Sequence, residues 1–393
     1  MEEGLLVKKE ELEEKSVNFG LHVEEVKRVS CIAAPMVAVN LSHYFLQVIS
    51  TMMVGHLGEL FLSSTAIATS FSAVTGFSLL FGMSTAMETL CGQGFGAKQY
   101  QKLGIQFQTA LFSLLLVCLP VTLLWVNMGK LLLLLGQDPS IASEAGKYTL
   151  WLIPALFGYA TLQPLELESF FRLAIPSAFM ICLEWWSFEF LTLLSGLLPN
   201  PKLETSVLSV CLSTLTTLYT IPEGLGAAAS TRVSNELGAR NHRAAQTAVR
   251  SVMLITVLET ILVSSVLFAS RHVFGYVFSN EKEVVDYVTA MAPFLCLCIV
   301  LNGLQAVLSG IARGCGWQDM GAYVNLLAYY VFGIPVAAIL GFWLHMRGQG
   351  LWIGILVGAF VQTVLLSIIT SCLNWKKQAD KARHRIFEDD GQT

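Results

Sequence analysis

The sequence predicts an all-α polytopic membrane protein, and three observations predict it. Hydrophobic residues make up 54% of the 393 residues and charged residues only 13%, about half the charged share of a typical soluble domain. That leaves too little polar surface to solvate a globule of this size. Ten stretches are apolar over about the 20 residues that a helix needs to cross a bilayer, and short connectors such as LPNPK and NELGARNHR separate them.

The elements follow in chain order. Residues 1–27 are mixed in charge and mostly acidic, and they predict a solvated tail or a short surface helix. The ten predicted spans are roughly 30–52, 60–84, 105–127, 144–165, 172–197, 205–229, 247–270, 285–312, 320–343 and 350–373. Residues 375–393, which include KKQADKARHR, predict a solvated basic tail.

An N-terminus in the cytosol places most of the 24 Lys and Arg residues on that side, so both termini are expected to be cytosolic.

The chain also repeats itself. GQGFGAKQ, residues 92–99, aligns with SNELGARN, residues 234–241, and the same offset brings Gly82 onto Gly224. Pro35 of the first span similarly resembles Pro176 of the fifth. Such weak internal symmetry is typical of membrane transporters built from two parallel halves. It predicts two pseudo-symmetric helical lobes.

The two predicted lobes are unequal in length. Residues 28–165 form an N-lobe of four helices, and residues 166–374 form a C-lobe of six. After LQAVLSGIARGCGWQ in the second half two more spans follow, whereas LQPLELESFFRLAIPS in the first half leads directly into the next lobe. We therefore expect that two helices are absent near Leu165–Glu166.

Several stretches resemble those of one family, the plant multidrug and toxic compound extrusion (DETOXIFICATION-type) transporters. The resemblance covers roughly residues 28–385 and is carried by ETLCGQGFGAKQY, RLAIPSAFMICLEWWSFEFLTLLSGLLPNP, LETSVLS, GLGAAASTRVSNELGA, LSGIARGCGWQ, GAYVNL and GLWIG. It implies two six-helix lobes, and the gap in this chain falls where the fifth and sixth helices would be. It also implies proton- or sodium-coupled efflux of organic cations, flavonoids or other metabolites, with the proton as the usual ion in plants.

Two glutamates, Glu184 and Glu189, interrupt the apolar run CLEWWSFEF. A buried carboxylate can hold either a proton or a cationic substrate, which is the exchange that an antiporter needs. The two residues lie about 140° apart around a helix, so one is expected to face a cavity and the other a neighbouring helix. The resemblance implies a coupling role for Glu184 and, with less weight, for Glu189. Each also has a structural alternative, a satisfied glutamate that locks helices together.

Other polar and aromatic residues are candidates for the same site. Many plant members of the family carry an aspartate where this chain has Asn302, and an asparagine cannot titrate. Gln305 lies one turn further on. Trp185 and Trp186 offer faces for flat or cationic substrates. His43 is the N-lobe counterpart of Glu184. The further candidates for lining a cavity are Asn40, Tyr44 and Gln47. Ordinary helix packing is the alternative for each of these residues.

The expected function is secondary active efflux by alternating access, and no enzyme motif is present. GQGFGAK lacks the spacing of a nucleotide-binding loop, so an ion gradient is the expected energy source. The resemblance implies that the ion is the proton, with sodium less favoured. No cofactor, metal or disulfide is expected from the nine cysteines.

The expected partners are small cationic or flavonoid-like substrates and the lipid of a vacuolar or plasma membrane. Neither nucleic acid nor nucleotide is expected, and the chain is expected to be a monomer. The alternative is a truncated, transport-inactive chain that acts at most by binding or hetero-oligomerisation.

Overall fold

The computed structural model describes residues 2–57, 59–161, 168–195, 197–199, 201–277 and 282–387. Every regular element within these residues is helical, which confirms the all-α prediction. The α-helices are α1 Glu2–Gly55, α2 Glu59–Ser72, α3 Ser78–Ser84, α4 Ala86–Gly96, α5 Tyr100–Val126, α6 Met128–Leu134, α7 Pro139–Thr161, α8 Glu168–Ser195, α9 Pro201–Gly238, α10 His242–Phe274, α11 Lys282–Cys315, α12 Gln318–Asn325, α13 Ile334–Ala338, α14 Arg347–Ser371 and α15 Trp375–Phe387. The π-helical stretches are Ala73–Phe77, Leu326–Gly333 and Ile339–Trp343, and Gly275–Val277 is a 3-10 turn.

Several of these helices are long and apolar enough to cross a bilayer. Within the described residues seven qualify, or eight if α5 and α6, which meet at 56°, form one bent span. The seven are His22–Ser50, Ser63–Gly96, Leu173–Ser195, His242–Val277, Lys282–Cys315, Gln318–Trp343 and Arg347–Ser371. The prediction of a multi-pass membrane protein is confirmed. The count of ten spans stays a prediction, because α7 and α9 are outside this set.

The two predicted tails differ from the structure. Helix α1 runs without a break from Glu2 to Gly55, so no helix end lies at the predicted boundary after residue 27. Residues 375–387 form α15, which buries Trp375, Ala379 and Ile386. An amphipathic helix of this kind stays at the bundle because one face is apolar. Within the described residues both predicted tails are therefore helical, and α15 is partly packed.

Helix α1 belongs to the first half of the chain and packs against the second, and helix α8 belongs to the second half and packs against the first. The buried cluster that contains most of the first half, from Ala68 to Ala160, also contains the start of α8 through Leu173 and Ala174. Conversely, Val29 of α1 belongs to a cluster formed mainly by α9, α10, α11, α14 and α15. The two halves are interlocked through these exchanged helices.

The two repeated motifs pack directly on one another. A Cβ at Gly96 would overlap the carbonyl oxygen of Asn235, and a Cβ at Gly238 would overlap the carbonyl oxygen of Gln93. The repeat pairs Gly96 with Gly238 and Gln93 with Asn235, so these contacts are reciprocal. Only glycine permits so close an approach of backbones. Each motif turns between helices, from α4 to α5 and from α9 to α10, as predicted.

A second reciprocal contact lies nearer the middle of the bundle. Gly82 of α3 approaches the backbone of Ala178 in α8, and Gly224 of α9 approaches the backbone of Val37 in α1. Gly82 and Gly224 are partners in the repeat, and Ala178 and Val37 follow Pro176 and Pro35 by two residues. The predicted pseudo-symmetry is therefore visible in how α1 and α8 cross the other half.

Charged pairs join the halves at one end of the bundle, which we call the basic end. It consists of the α4–α5, α9–α10 and α11–α12 turns and α15. The Arg313 Nε atom lies 3.0 Å from Glu88 Oε2, which joins α11 to α4. Arg232 of α9 lies 2.7 Å from Glu25 of α1 and 2.7 Å from Glu236. Glu88 of the first half therefore has its ion-pair partner in the second half.

The two exchanged helices differ in how well they are covered. The apolar window within His22–Ser50 is 11% buried, whereas the window within Leu173–Ser195 is 44% buried. Helix α8 is covered by the last helices of the chain, for example where Phe188 packs against Tyr329. On α1, Val39 and Leu46 remain 66% and 67% exposed. The predicted gap at Leu165–Glu166 lies outside the described residues.

Candidate functional site

Glu184 lies buried inside the second half, on α8, with 6% of its surface exposed. Gln305 Nε2 of α11 donates to its Oε2 at 2.8 Å. Asn325 of α12 and Gln362 of α14 each donate to the same oxygen at 3.4 Å. The Tyr219 hydroxyl of α9 donates to Oε1 at 3.5 Å. Five helices therefore converge on one carboxylate.

The donors around Glu184 are themselves connected. Gln362 Nε2 donates to Asn325 Oδ1 at 2.6 Å, and the Tyr329 hydroxyl donates to Gln362 Oε1 at 2.7 Å. Gln305 Nε2 also donates to Ser309 at 3.0 Å, while its Oε1 atom is buried without a hydrogen-bond partner. Among the described residues no cationic side chain forms an ion pair with Glu184. The network is built from neutral amides and hydroxyls.

Glu189 is held by the other half of the chain. The Ser70 hydroxyl of α2 donates to Glu189 Oε2 at 2.6 Å. Glu184 and Glu189 therefore point to different surroundings, as their spacing around the helix predicted. Glu189 contributes a contact between the halves, and its predicted role in coupling stays a prediction.

The two tryptophans pack against the first half, away from the hydrogen-bond network of Glu184. Trp185 stacks on Phe81 with ring centroids 5.7 Å apart. Trp186, which is 38% exposed, donates from Nε1 to the Val74 carbonyl at 3.1 Å. Their faces are thus engaged at the contact of α8 with α3 and the π-helical stretch before it. Substrate stacking on them stays a prediction.

Asn302 and Gln305 are not equivalent. Gln305 touches Glu184, whereas Asn302 Nδ2 donates to Cys298 Sγ, one turn earlier on α11, at 3.1 Å. Asn302 is 4% exposed. Both residues were expected to lie beside Glu184. In the structure Gln305 contacts Glu184, whereas Asn302 contacts Cys298.

The candidates on α1 divide between two neighbours. Asn40 donates to Glu223 of α9 at 3.4 Å, and Tyr44 accepts from Thr217 of the same helix at 2.9 Å. His43 instead stacks on Tyr159 of α7 with centroids 6.5 Å apart. Gln47 lies exposed on α1. These four residues do not form one cluster.

Sequence reasoning missed Tyr219, which lies beside Glu223 on α9. These two residues lie one turn apart on α9, so they share a face. Through them α9 connects Glu184 of the second half with Asn40 of α1. Asn325, within GAYVNL, and Gln362, a lone amide in an apolar span, were also missed. Their only signal in the sequence is polarity inside a predicted membrane helix.

Two similar halves form a multi-pass bundle, and one half buries a carboxylate bound by uncharged donors. This architecture is typical of membrane transport proteins. A family model described as MatE matches residues 35–167 and 176–339. The chain therefore belongs to the MATE family of multidrug and toxic compound efflux transporters.

Individual relatives agree with this assignment. Protein DETOXIFICATION 14 of Arabidopsis thaliana is 52% identical, with 99% of this chain and 96% of the relative covered. Protein DETOXIFICATION 12 of the same plant is 48% identical, with 93% of each covered. The crystal structure of the eukaryotic MATE transporter AtDTX14 superposes with a TM-score of 0.88 at 53% identity, over 93% of this chain and all of that one.

A more distant structure shares the fold alone. An outward-facing multidrug resistance MATE family transporter of the MOP superfamily has a TM-score of 0.77 at 13% identity, over 91% of this chain and 97% of that one. The relatives of this chain are thus transporters rather than enzymes, and members of the family bind small organic substrates. The protein is an integral, multi-pass membrane protein.

Proposed function

We propose that this protein is a proton-coupled antiporter that exports small organic compounds by alternating access. The observation that carries the proposal is Glu184, a buried carboxylate that neutral donors from four other helices hold within the described part of the chain. A carboxylate paired with Arg would stay charged, whereas one in a neutral setting can exchange a proton for a cationic ligand. The proton gradient is the preferred energy source over sodium.

The neighbourhood of Glu184 suits both protonation states. When the carboxylate is charged, its Oε2 atom accepts from Gln305. When it is protonated, it becomes a donor and needs an acceptor. The Gln305 Oε1 atom lacks a partner, and a rotation of that amide presents it to Glu184. Protonation would then release the substrate, and loss of the proton would restore its affinity.

The remaining features of the proposal come from charge and family. The substrates are small organic cations, flavonoids or other metabolites. The distribution of Lys and Arg supports a cytosolic basic end and cytosolic termini, and the proposed membrane is the vacuolar or plasma membrane. We take the functional unit to be a monomer.

The test is uptake of a fluorescent organic cation into proteoliposomes, driven by a pH gradient. We expect the native chain to accumulate the cation and Glu184→Gln to lose at least nine tenths of the initial rate. Glu259→Gln is the matched control, because Glu259 lies in the membrane helix α10, outside this network. Uptake that survives Glu184→Gln unchanged, or is lost equally in the control, would contradict the role of Glu184.

A second candidate function is a transport-inactive chain that binds substrate or pairs with other chains. The low burial of α1 favours it. The alignment with DETOXIFICATION 14 supports the loss of two helices, because it spans 469 residues, 76 more than this chain has. That length is enough for two spans and their loops. This candidate predicts no uptake by the native chain and uptake once the two helices are restored.

A further inference from the structure

A groove opens at the basic end, between the first turn of α10 and the turn that joins α14 to α15. Its volume is about 490 Å³. Among the residues that line it are His242, Arg243 and Gln246 on one side and Cys372, Trp375 and Lys376 on the other. None of the described residues that line this groove carries a carboxylate. Its polar surface is therefore suited to an anion.

The cations in the groove are not neutralised by neighbouring carboxylates. Within the described part of the chain, neither Arg243 nor Lys376 has an ion-pair partner, although both are exposed. Nearby, Arg240 lies 3.4 Å from Asp380. The unpaired charges of Arg243 and Lys376 are thus available to a ligand.

A second groove at the same end provides a contrast. It is lined by Glu24, Lys27, Arg28 and Arg232, among others. There Arg28 pairs with Glu24 at 2.6 Å, and Arg232 pairs with Glu25. Because carboxylates already neutralise both arginines and Glu24 itself lines the groove, the second groove is a poor anion site.

Two helices begin at the first groove, and both add positive potential. Helix α10 begins at His242, after Asn241 accepts the N–H of Ala244 at 3.2 Å. Helix α15 begins at Trp375, after Asn374 accepts the N–H of Lys377 at 3.0 Å. The first N–H groups of a helix carry partial positive charge and favour phosphate. Helix termini and side chains therefore act in the same direction.

The groove also lies where a candidate membrane span ends. The membrane span Arg347–Ser371 ends one residue before Cys372, and Trp375 is the kind of residue found at membrane interfaces. We propose that this groove binds a phosphate monoester, with the headgroup of an anionic phospholipid as its source. Arg243 and Lys376 would contact the phosphate, and Leu373, which also lines the groove, would contact the glycerol.

The test uses Cys372, whose exposed thiol lies in the groove, as a reporter. The full chain carries Cys31→Ser, so that the other exposed cysteine is removed, and is purified in detergent. The rate at which a neutral maleimide modifies Cys372 is measured by peptide mass spectrometry. Dioleoylphosphatidic acid, dioleoylphosphatidylcholine and inorganic phosphate are added separately, and each rate is compared with that of the same variant alone.

We expect phosphatidic acid to slow the modification at least threefold and phosphatidylcholine to leave it unchanged. Arg243→Gln with Lys376→Gln should abolish the slowing. Lys381→Gln with Arg383→Gln removes the same two charges from exposed positions outside the groove and should preserve it.

The arms of the experiment separate the sources of the phosphate. Slowing by phosphatidic acid alone supports a lipid site, and slowing by inorganic phosphate as well supports a site that also takes soluble phosphate esters. Two results would overturn the proposal. One is an unchanged rate with phosphatidic acid. The other is an equal loss of protection in both pairs of variants, which would indicate long-range attraction to the basic end.

Discussion

At the residue scale, Gln305 makes the shortest hydrogen bond to Glu184, at 2.8 Å, and is 1% exposed. A hydrogen bond to a charged group is worth about 1.5–3 kcal/mol, and about 1.4 kcal/mol corresponds to a factor of ten. We therefore expect Gln305→Ala to lower the initial rate of gradient-driven uptake about tenfold. Initial rates in proteoliposomes at equal protein content would measure this.

The matched comparison is Asn302→Ala, on the same helix and similarly buried. Because the Asn302 amide donates to Cys298 and not to Glu184, its loss should change uptake less than twofold. If both variants lost the same share of the uptake rate, the hydrogen bond from Gln305 to Glu184 would not be the cause of the loss. Unfolding midpoints of the two proteins in detergent would show whether either has lost its fold.

Part of this site could be predicted from the sequence. A carboxylate in an apolar run identifies Glu184, and helical geometry separates it from Glu189. The partners of Glu184 could not be predicted in the same way. Tyr219, Asn325 and Gln362 lie on three different helices, and polarity alone does not say which helices become neighbours. That information depends on long-range packing, which residue spacing does not contain.

At the element scale, the internal repeat predicted two similar halves and did not predict how they join. The structure shows α1 and α8 exchanged between the halves and the two repeated motifs in contact. The repeat marked Gly96 and Gly238 as equivalent, but a shared glycine is equally expected at an isolated turn. Their reciprocal contact appears only when the two turns lie side by side.

This contact gives a prediction for the glycines of the basic end. Gly96→Ala and Gly238→Ala should each destabilise the protein by about 1–3 kcal/mol, because each added Cβ overlaps a carbonyl oxygen of the opposite motif. The measurement is the unfolding midpoint in detergent. The double variant should cost less than the sum of the two, because either substitution already separates the motifs.

Gly158→Ala is the control for the glycine substitutions. Gly158 lies in α7, and a Cβ there would meet nothing within 4 Å. Removing a helical glycine at such a place should leave stability unchanged or raise it by up to about 1 kcal/mol. If Gly96→Ala behaved like Gly158→Ala, the close packing of the two motifs would be refuted.

At the scale of the whole molecule, the two halves are covered unequally. Helix α8 is covered by α12 and α14, while its counterpart α1 has a window only 11% buried. Among the exposed residues of α1 is His43, the counterpart of Glu184. Lipid can cover apolar side chains such as Val39, but a polar residue gains more from a protein neighbour. This exposure is what the predicted absence of two helices from the first half would produce.

We accordingly expect the chain to be less stable than a form that contains the two helices. The matching segment of DETOXIFICATION 14, inserted between residues 161 and 168, should raise the unfolding midpoint in detergent by about 5 °C or more, since a few kcal/mol of added packing moves a domain of this size by that amount. A hairpin of equal length and apolarity but scrambled sequence is the control, because it adds two spans without matched contacts to α1. Equal midpoints for the native chain and the completed one would mean that α1 needs no further cover. A gain in stability together with a gain in uptake would show instead that the same two helices complete both the fold and the transport pathway.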